Sequence, residues 1–380
     1  MDNFIFQNPT KLIYGKGMIA RLAKEIPAGK RILVTFGGGS VKKNGVYEQV
    51  KEALKDFVTF EFWGIEANPK IETLRKAIQL GKENQVDFLV AVGGGSVLDG
   101  TKLIAAGLLY EGDAWELVLK GRSEKALPMA TVLTLPATGS EMNSGAVISR
   151  LETAEKFAFY SRHPLFSILD PTVTFTLPLH QIACGLADTF VHVMEQYMTT
   201  PNQSHLMDRW AEGILHTLIE IAPQILKTQD NYDLMAEFML CATMGLNGFI
   251  ALGVKQDWAT HMIGHELTAL NGLTHGATLA IVFPGLLRTL KEKKQNKILQ
   301  YGERIWGISQ GSTDERIEAT ICKTETFFKS LGLPTRLGEA HIGQDTILEI
   351  EQRFNKRHVA FGENQDVTGT VARQILENCK

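Results

Sequence analysis

Two apolar runs that each stop on three consecutive glycines constrain this chain more than any other feature. Arg31-Ile32-Leu33-Val34-Thr35-Phe36 runs into Gly37-Gly38-Gly39, and Asp87-Phe88-Leu89-Val90-Ala91-Val92 runs into Gly93-Gly94-Gly95. Short β-branched stretches without polar alternation suit strands buried on both faces, which is the condition of a parallel sheet covered by helices. Thr131-Val132-Leu133-Thr134-Leu135, stopped by Pro136, is a third such run. Between the first two, Ile71, Leu74, Ala77 and Ile78 recur at helical spacing through residues 71–84. A further helix is expected from Val97 to Leu109, and Phe6 to Tyr14 is expected to be extended. The first part of the chain therefore reads as α/β.

After Pro178 the pattern changes. Apolar residues recur at i, i+3 and i+4 through Ala183–Met198, Asp208–Ile225 and Asp233–Ile250, and strand-like runs nearly vanish. The expected organisation is an α/β domain over residues 1–178 and an all-helical domain over 179–380. A length of 380 residues accommodates two cores. With 44% hydrophobic and 21% charged residues, disorder over most of the chain is excluded. A net charge of −3 argues against a nucleic-acid or membrane surface, either of which would show a basic excess. The stretch from Leu267 to Leu287 is interrupted by Asn271, Gly272, His275, Gly276 and Pro284, so it is not a membrane span. Cys184, Cys241, Cys322 and Cys379 are widely spaced and read as free thiols in a reducing compartment. No signal-peptide pattern opens the sequence, and a cytoplasmic location is expected.

Gly93-Gly94-Gly95-Ser96-Val97-Leu98-Asp99 joins an expected strand to an expected helix. Glycines let a phosphate approach the backbone, and the helix start offers free N–H groups and a partial positive charge. A tight turn with no ligand would use the same residues, and neither standard nucleotide fingerprint is present. Gly37-Gly38-Gly39-Ser40-Val41-Lys42-Lys43 is the second such turn. A dinucleotide site that prefers NAD places an acidic residue after an early strand, where it holds the ribose diol and repels a 2′-phosphate. Here glycines, Ser40 and two lysines stand instead, which favours NADP(H); two solvated surface lysines are the alternative. Thr134 to Glu141 forms a third polar cluster at a strand end.

Asp188 and His192 are four apart on one expected helix, and His261 and His265 are four apart on another. His275 follows the turn at Asn271-Gly272. A carboxylate with imidazoles is a ligand set for Zn²⁺ or Fe²⁺, with zinc favoured on affinity. Any one of these histidines alone would more simply be a hydrogen-bonded core or surface residue. H-E-x-x-H is absent, because Ala269 stands where the second histidine would be, so a metalloprotease is disfavoured.

Taken together, these motifs resemble the iron-containing (group III) alcohol dehydrogenases, and most closely their NADPH-dependent alcohol dehydrogenase/aldehyde reductase branch, the butanol dehydrogenases. The resemblance is carried by the two glycine turns, by Leu135-Pro136-Ala137-Thr138-Gly139-Ser140-Glu141, by Asp188 with His192, by Gln256 to Leu267 and by His275-Gly276. It implies a dinucleotide-binding α/β domain followed by a helical domain, with the active site in a cleft. It implies Asp188, His192, His261 and His275 as ligands of one divalent metal, and His265 as a nearby residue close to nicotinamide and substrate. It implies that Gly93, Gly94, Gly95, Ser96 and Asp99 meet the pyrophosphate, that Thr134, Thr138, Ser140 and Lys156 line ribose and nicotinamide, and that Asn68 lies on the adenine side. Gly37, Gly38, Gly39 and Ser40 complete the cofactor set, with Gly37 where NAD-preferring relatives carry Asp. A homodimer acting on a small alcohol/aldehyde pair is the expected form. Rival readings are a dehydroquinate synthase-like enzyme for a phosphorylated substrate and a non-catalytic cofactor sensor. Apolar Phe159, Phe249, Leu252 and Trp258, expected near the metal, favour an uncharged carbonyl substrate.

Overall fold

The computed structural model describes residues 1–200 and 204–380. In chain order the first elements are β1 (Lys11–Tyr14), α1 (Leu22–Glu25), β2 (Arg31–Phe36), α2 (Val46–Ala53), β3 (Val58–Phe62), α3 (Ile71–Glu83), β4 (Phe88–Gly94), α4 (Gly95–Gly107), α5 (Ala114–Leu119) and β5 (Met129–Leu135). There follow β6 (Gly145–Arg150), β7 (Glu155–Tyr160), β8 (Phe166–Leu169), α6 (Leu179–Tyr197), α7 (His205–Ile225), α8 (Tyr232–Gly245), α9 (Ala259–Asn271) and α10 (His275–Thr289). The chain closes with α11 (Gln295–Trp306), α12 (Thr313–Ser330), α13 (Gln344–Arg357) and α14 (Gly369–Glu377).

Contacts divide the chain into two units. One comprises Gln7–Pro178 with Gln229–Asn247; the other comprises Met1–Phe6, Leu179–Thr228 and Gly248–Lys380. Helix α8 thus packs with the sheet, although it follows Pro178 in sequence. Its start is capped by Asn231 Oδ1, which accepts from the backbone N–H of Asp233 and Leu234. Its Thr243 hydroxyl donates to buried Glu141 Oε1 at 2.5 Å. Periodicity identifies the buried face of a helix but not what that face meets, so α8 could not be assigned from sequence.

The sheet runs β1-β8-β5-β4-β2-β3 with every pairing parallel, as the apolar runs require. Its two faces are covered separately. Leu33, Leu89, Ala91 and Leu133 belong to one core with α3, α4 and α5, while Ile32, Val34, Val90, Val92 and Val132 belong to another with α2. Strand order reverses between β2 and β4, because β2 leads outward to β3 whereas β4 leads to β5, β8 and β1 on the other side. In an open α/β sheet that reversal leaves a crevice at the carboxyl ends of the two strands. Both glycine turns lie there. Strands β6 and β7 form a separate antiparallel hairpin. No helix among the described residues is long and apolar enough to cross a membrane.

Candidate metal centre and dinucleotide turn

The metal candidates all lie in the helical unit. Helix α6 carries Asp188 and His192 on one face, α9 carries His261 and His265, and α10 begins at His275. Asp188 Oδ1 is the hub: His192 Nδ1, His261 Nε2 and His275 Nε2 lie 3.5, 3.5 and 3.7 Å from it. Four ligands placed tetrahedrally at about 2.0–2.1 Å from a zinc-sized ion would stand about 3.3–3.4 Å apart. Suitable atoms of Asp188, His261 and His275 all fall within 4.8 Å of one another. The His192 ring stacks on that of His261, with centroids 4.5 Å apart. Asp188 Oδ1 and His261 Nε2 are both buried, and neither has a hydrogen-bond partner among the described residues. Buried polar atoms are rarely left so, and a cation between them satisfies both. The donor set therefore fits a divalent metal.

Local structure explains how α10 brings His275 so close. A Cβ built at Gly276 would lie 2.2 Å from the carbonyl oxygen of Cys184 on α6. Only glycine permits that approach. The start of α9 is fixed just as firmly. Asp257 Oδ1 accepts from Ala259 N at 3.0 Å, and Asp257 Oδ2 meets the buried Lys294 ammonium at 2.9 Å.

Glu195, which sequence reasoning missed, completes the centre. It is 2% exposed. Its Oε1 accepts from Thr260 N at 2.6 Å, and its Oε2 accepts from His261 Nδ1. A carboxylate on one ring nitrogen orients the imidazole and leaves the other nitrogen for a metal. The signal was available: residues 188, 192 and 195 share one helix face. The electrostatics of the cluster favour positive charge. Burial alone would lower the His261 imidazole, but Glu195 and Asp188 outweigh it and raise it to about 9. Burial would raise the Asp188 carboxyl, yet His192, His275 and His261 together lower it.

His265 is buried beside this cluster, its ring centroid 5.1 Å from that of His275 and 6.3 Å from that of His261. Of the apolar neighbours expected here, Trp258 stands 5.3 Å from the His261 ring. Phe249 instead stacks on Trp210 at 4.2 Å, and Phe159 is wholly buried in the core of the sheet-bearing unit. Phe249 and Phe159 are thus built into other packing.

The dinucleotide candidates all lie in the sheet-bearing unit. Helix α4 begins at Gly95, earlier than expected, and its N-cap residue, Gly94, has no side chain to cap it. Its first N–H groups are the unsatisfied donors that bind anions. A Cβ at Gly95 would lie 2.5 Å from Thr138 Oγ1, and one at Gly94 2.9 Å from Leu135 Cβ. These glycines are thus needed for close packing as well as for ligand access. Ser96, Asn68 and Lys156 form a chain: Asn68 N donates to Ser96 Oγ at 3.3 Å, and Lys156 Nζ donates to Asn68 Oδ1 at 2.9 Å. Asp99 and Ser140 are engaged by the protein itself. Asp99 accepts from Ser140 Oγ at 2.6 Å and from Val147 N at 2.9 Å. Lys102, absent from the sequence-derived set, is fully buried beneath them and donates to Ser140 Oγ, Asn143 Oδ1 and the Gly145 carbonyl. Burial pushes its ammonium down to about 8. Thr134 is buried at the end of β5. Gly37 and Gly38 follow β2 directly, Gly39 has φ +95°, and Ser40 opens the short turn that ends at Lys42.

A profile of the family described as iron-containing alcohol dehydrogenase matches residues 9–171, and one described as Fe-containing alcohol dehydrogenase family, C-terminal, matches residues 182–379. The chain belongs to the iron-containing alcohol dehydrogenase family. Among relatives of this family, the NADPH-dependent aldehyde reductase YqhD of Escherichia coli is 52% identical, over 99% of both chains. A probable NADH-dependent butanol dehydrogenase 1 of Bacillus subtilis is 43% identical, again over 99% of both. The crystal structure of the Escherichia coli protein superposes with a TM-score of 0.98 at 51% identity, covering 100% of this chain and 99% of that one. The NADH-dependent butanol dehydrogenase A of Thermotoga maritima gives 0.95 at 36% identity, with the same coverage. The α/β and all-helical fold class expected from sequence is that of these iron-containing alcohol dehydrogenases.

Proposed function

We propose that this chain reduces small uncharged aldehydes to primary alcohols with NADPH and runs the reverse oxidation with NADP⁺. The observation that carries the reading is one buried carboxylate oxygen, Asp188 Oδ1, with nitrogens of three imidazoles 3.5–3.7 Å away. Asp188, His192, His261 and His275 would hold one divalent ion, Fe²⁺ or Zn²⁺. When bound, the ion supplies Lewis-acid polarisation of the carbonyl oxygen, and the nicotinamide supplies the hydride. Glu195 keeps a proton on His261 Nδ1 and so leaves Nε2 as a ligand atom. His265, beside His275, is the group that would deliver a proton to the carbonyl oxygen. The N–H groups opening α4 at Gly95 and Ser96 would receive the pyrophosphate, with Gly93 and Gly94 giving access. Asn68 would face the adenine side, and Thr134, Thr138 and Lys156 the ribose and nicotinamide. Asp99 and Ser140 contribute by holding the turn in place.

Preference for NADP(H) is supported by this chain's own residues. No acidic side chain follows β2; Gly37, Gly38, Gly39 and Ser40 stand there with Lys42 and Lys43. The relatives' names include both NADPH- and NADH-dependent enzymes, so they do not decide the matter. The proposed form is a cytoplasmic homodimer, which light scattering after size exclusion tests directly. Loss of NADPH absorbance with a panel of short-chain aldehydes, with chelator and then with added Zn²⁺ or Fe²⁺, tests the activity. Turnover that chelation abolishes and metal restores is expected. No turnover with any aldehyde under either metal would leave a cofactor sensor as the better reading, and faster turnover with NADH would overturn the cofactor assignment.

A further inference from the structure

An aromatic cluster stands against the turn that follows β2. The Phe36 and Trp63 rings stack with centroids 4.0 Å apart and planes 11° apart. Tyr47, from α2, meets both edge-on at 5.8 and 5.5 Å. Glu61 accepts from Tyr47 Oη at 2.9 Å and from Trp63 Nε1 at 2.8 Å, which fixes how both rings turn and engages both of its carboxylate oxygens. Backbone bonds tie the Trp63 segment to the glycine turn, because Gly64 N donates to the Gly37 carbonyl and Ile65 N to the Phe36 carbonyl. With Phe36 against one face of the indole, the other takes a cation: Lys42 Nζ lies 4.0 Å from the Trp63 ring centroid and 5.5 Å from that of Tyr47.

Lys42 is exposed, and an exposed lysine ordinarily samples many rotamers. Held over an indole that Phe36, Tyr47 and Glu61 contact, it has surrendered part of that freedom before any ligand arrives, which lowers the cost of meeting one. We propose that Trp63 is a specificity-determining positioning residue, holding the Lys42 ammonium beside the Gly37–Ser40 turn to meet the 2′-phosphate of NADP(H). The inference rests on the NADP(H) reading above. Trp63 acts through Lys42, so its effect is confined to the cofactor that carries the phosphate.

The test is the dissociation constant of the purified full-length chain for NADPH and for NADH, by calorimetry, in wild type, Trp63→Leu, Lys42→Gln and the double variant. Trp63→Leu keeps an apolar group against Phe36 but removes the π face. It should weaken NADPH about two- to fivefold, the size of a cation–π contact at an exposed site, and leave NADH unchanged. Lys42→Gln should weaken NADPH about tenfold, as loss of a charged hydrogen bond does. The double variant should be no weaker than Lys42→Gln alone, because the two residues act as one. If Trp63→Leu does not fold, Trp63→Phe reads the same quantity, with a smaller selective loss expected and no loss contradicting the proposal. A wild type that prefers NADPH, with a Trp63 variant affecting both cofactors equally or neither, overturns this inference alone. A wild type that binds NADH as tightly as NADPH overturns the cofactor reading and this inference with it.

Discussion

Replacing Glu195 by glutamine changes one atom and should cripple the metal centre. All three groups facing the carboxylate are donors, the backbone N–H of Thr260 and of His261 at Oε1 and His261 Nδ1–H at Oε2. A carboxamide has only one acceptor atom. If its oxygen serves Thr260, its NH₂ faces His261 Nδ1, which must then accept. The imidazole proton moves to Nε2, the atom 3.5 Å from Asp188 Oδ1, and the lone pair needed for a metal is lost. Removing such a carboxylate partner of a metal-bound histidine costs about 10–100-fold in metal affinity, or about 1.4–2.8 kcal/mol. Metal-stripped full-length protein titrated with Zn²⁺ against a competing indicator reads this directly, with far-UV circular dichroism as the check on folding. Glu195→Asp keeps the charge and two acceptors on a shorter arm and should lose less. A folded Glu195→Gln protein with wild-type affinity would refute the tautomer argument.

Other changes probe the packing behind the sites. Gly276→Ala drives a methyl into the Cys184 backbone, so α10 must withdraw from α6; a stability loss of about 1–3 kcal/mol and weaker metal retention are expected, by urea unfolding and elemental analysis. Gly95→Ala pushes on Thr138 at the start of α4 and should weaken NADPH by about tenfold while metal content stays at the wild-type level. Lys102 titrates lower when folded than its ordinary 10.5, so the folded state binds fewer protons between about pH 8 and 10.5. The cost of keeping that buried ammonium charged, on the order of 3 kcal/mol, is fully present below pH 8 and is relieved as pH rises toward 10.5. Wild-type stability measured against Lys102→Met should therefore climb across that window; a flat difference would contradict it.

What the sequence made legible follows from physics that is local. Strands β2, β4 and β5 announced themselves because burial on both faces leaves a continuous apolar run. Strand β8 is as buried but has only four residues, too few to form a pattern, and edge strand β3 is largely exposed. The hairpin of β6 and β7 was also missed, since its alternation is blurred by half-buried polar positions such as Ser149 and Glu155. At the metal centre, four-residue spacings brought Asp188 with His192 and His261 with His265 to attention, and His275 followed just beyond the Asn271-Gly272 turn. Glu195 went unnoticed because a single acidic residue on a helix is usually a solvated one, and only its contact with His261 distinguishes it. Asp99 was legible as part of the pyrophosphate turn and Ser140 as part of the polar cluster after β5, but their bonds to Val147 and Lys102 depend on how β6 folds back over α4.

X-ray absorption of the zinc-loaded full-length chain tests the central claim most directly. One ion per chain is predicted, surrounded by three imidazole nitrogens and one carboxylate oxygen at about 2.0–2.1 Å. A sulfur neighbour, fewer than three imidazoles, or failure to retain the ion after desalting would contradict the four-residue centre on which the dehydrogenase chemistry depends.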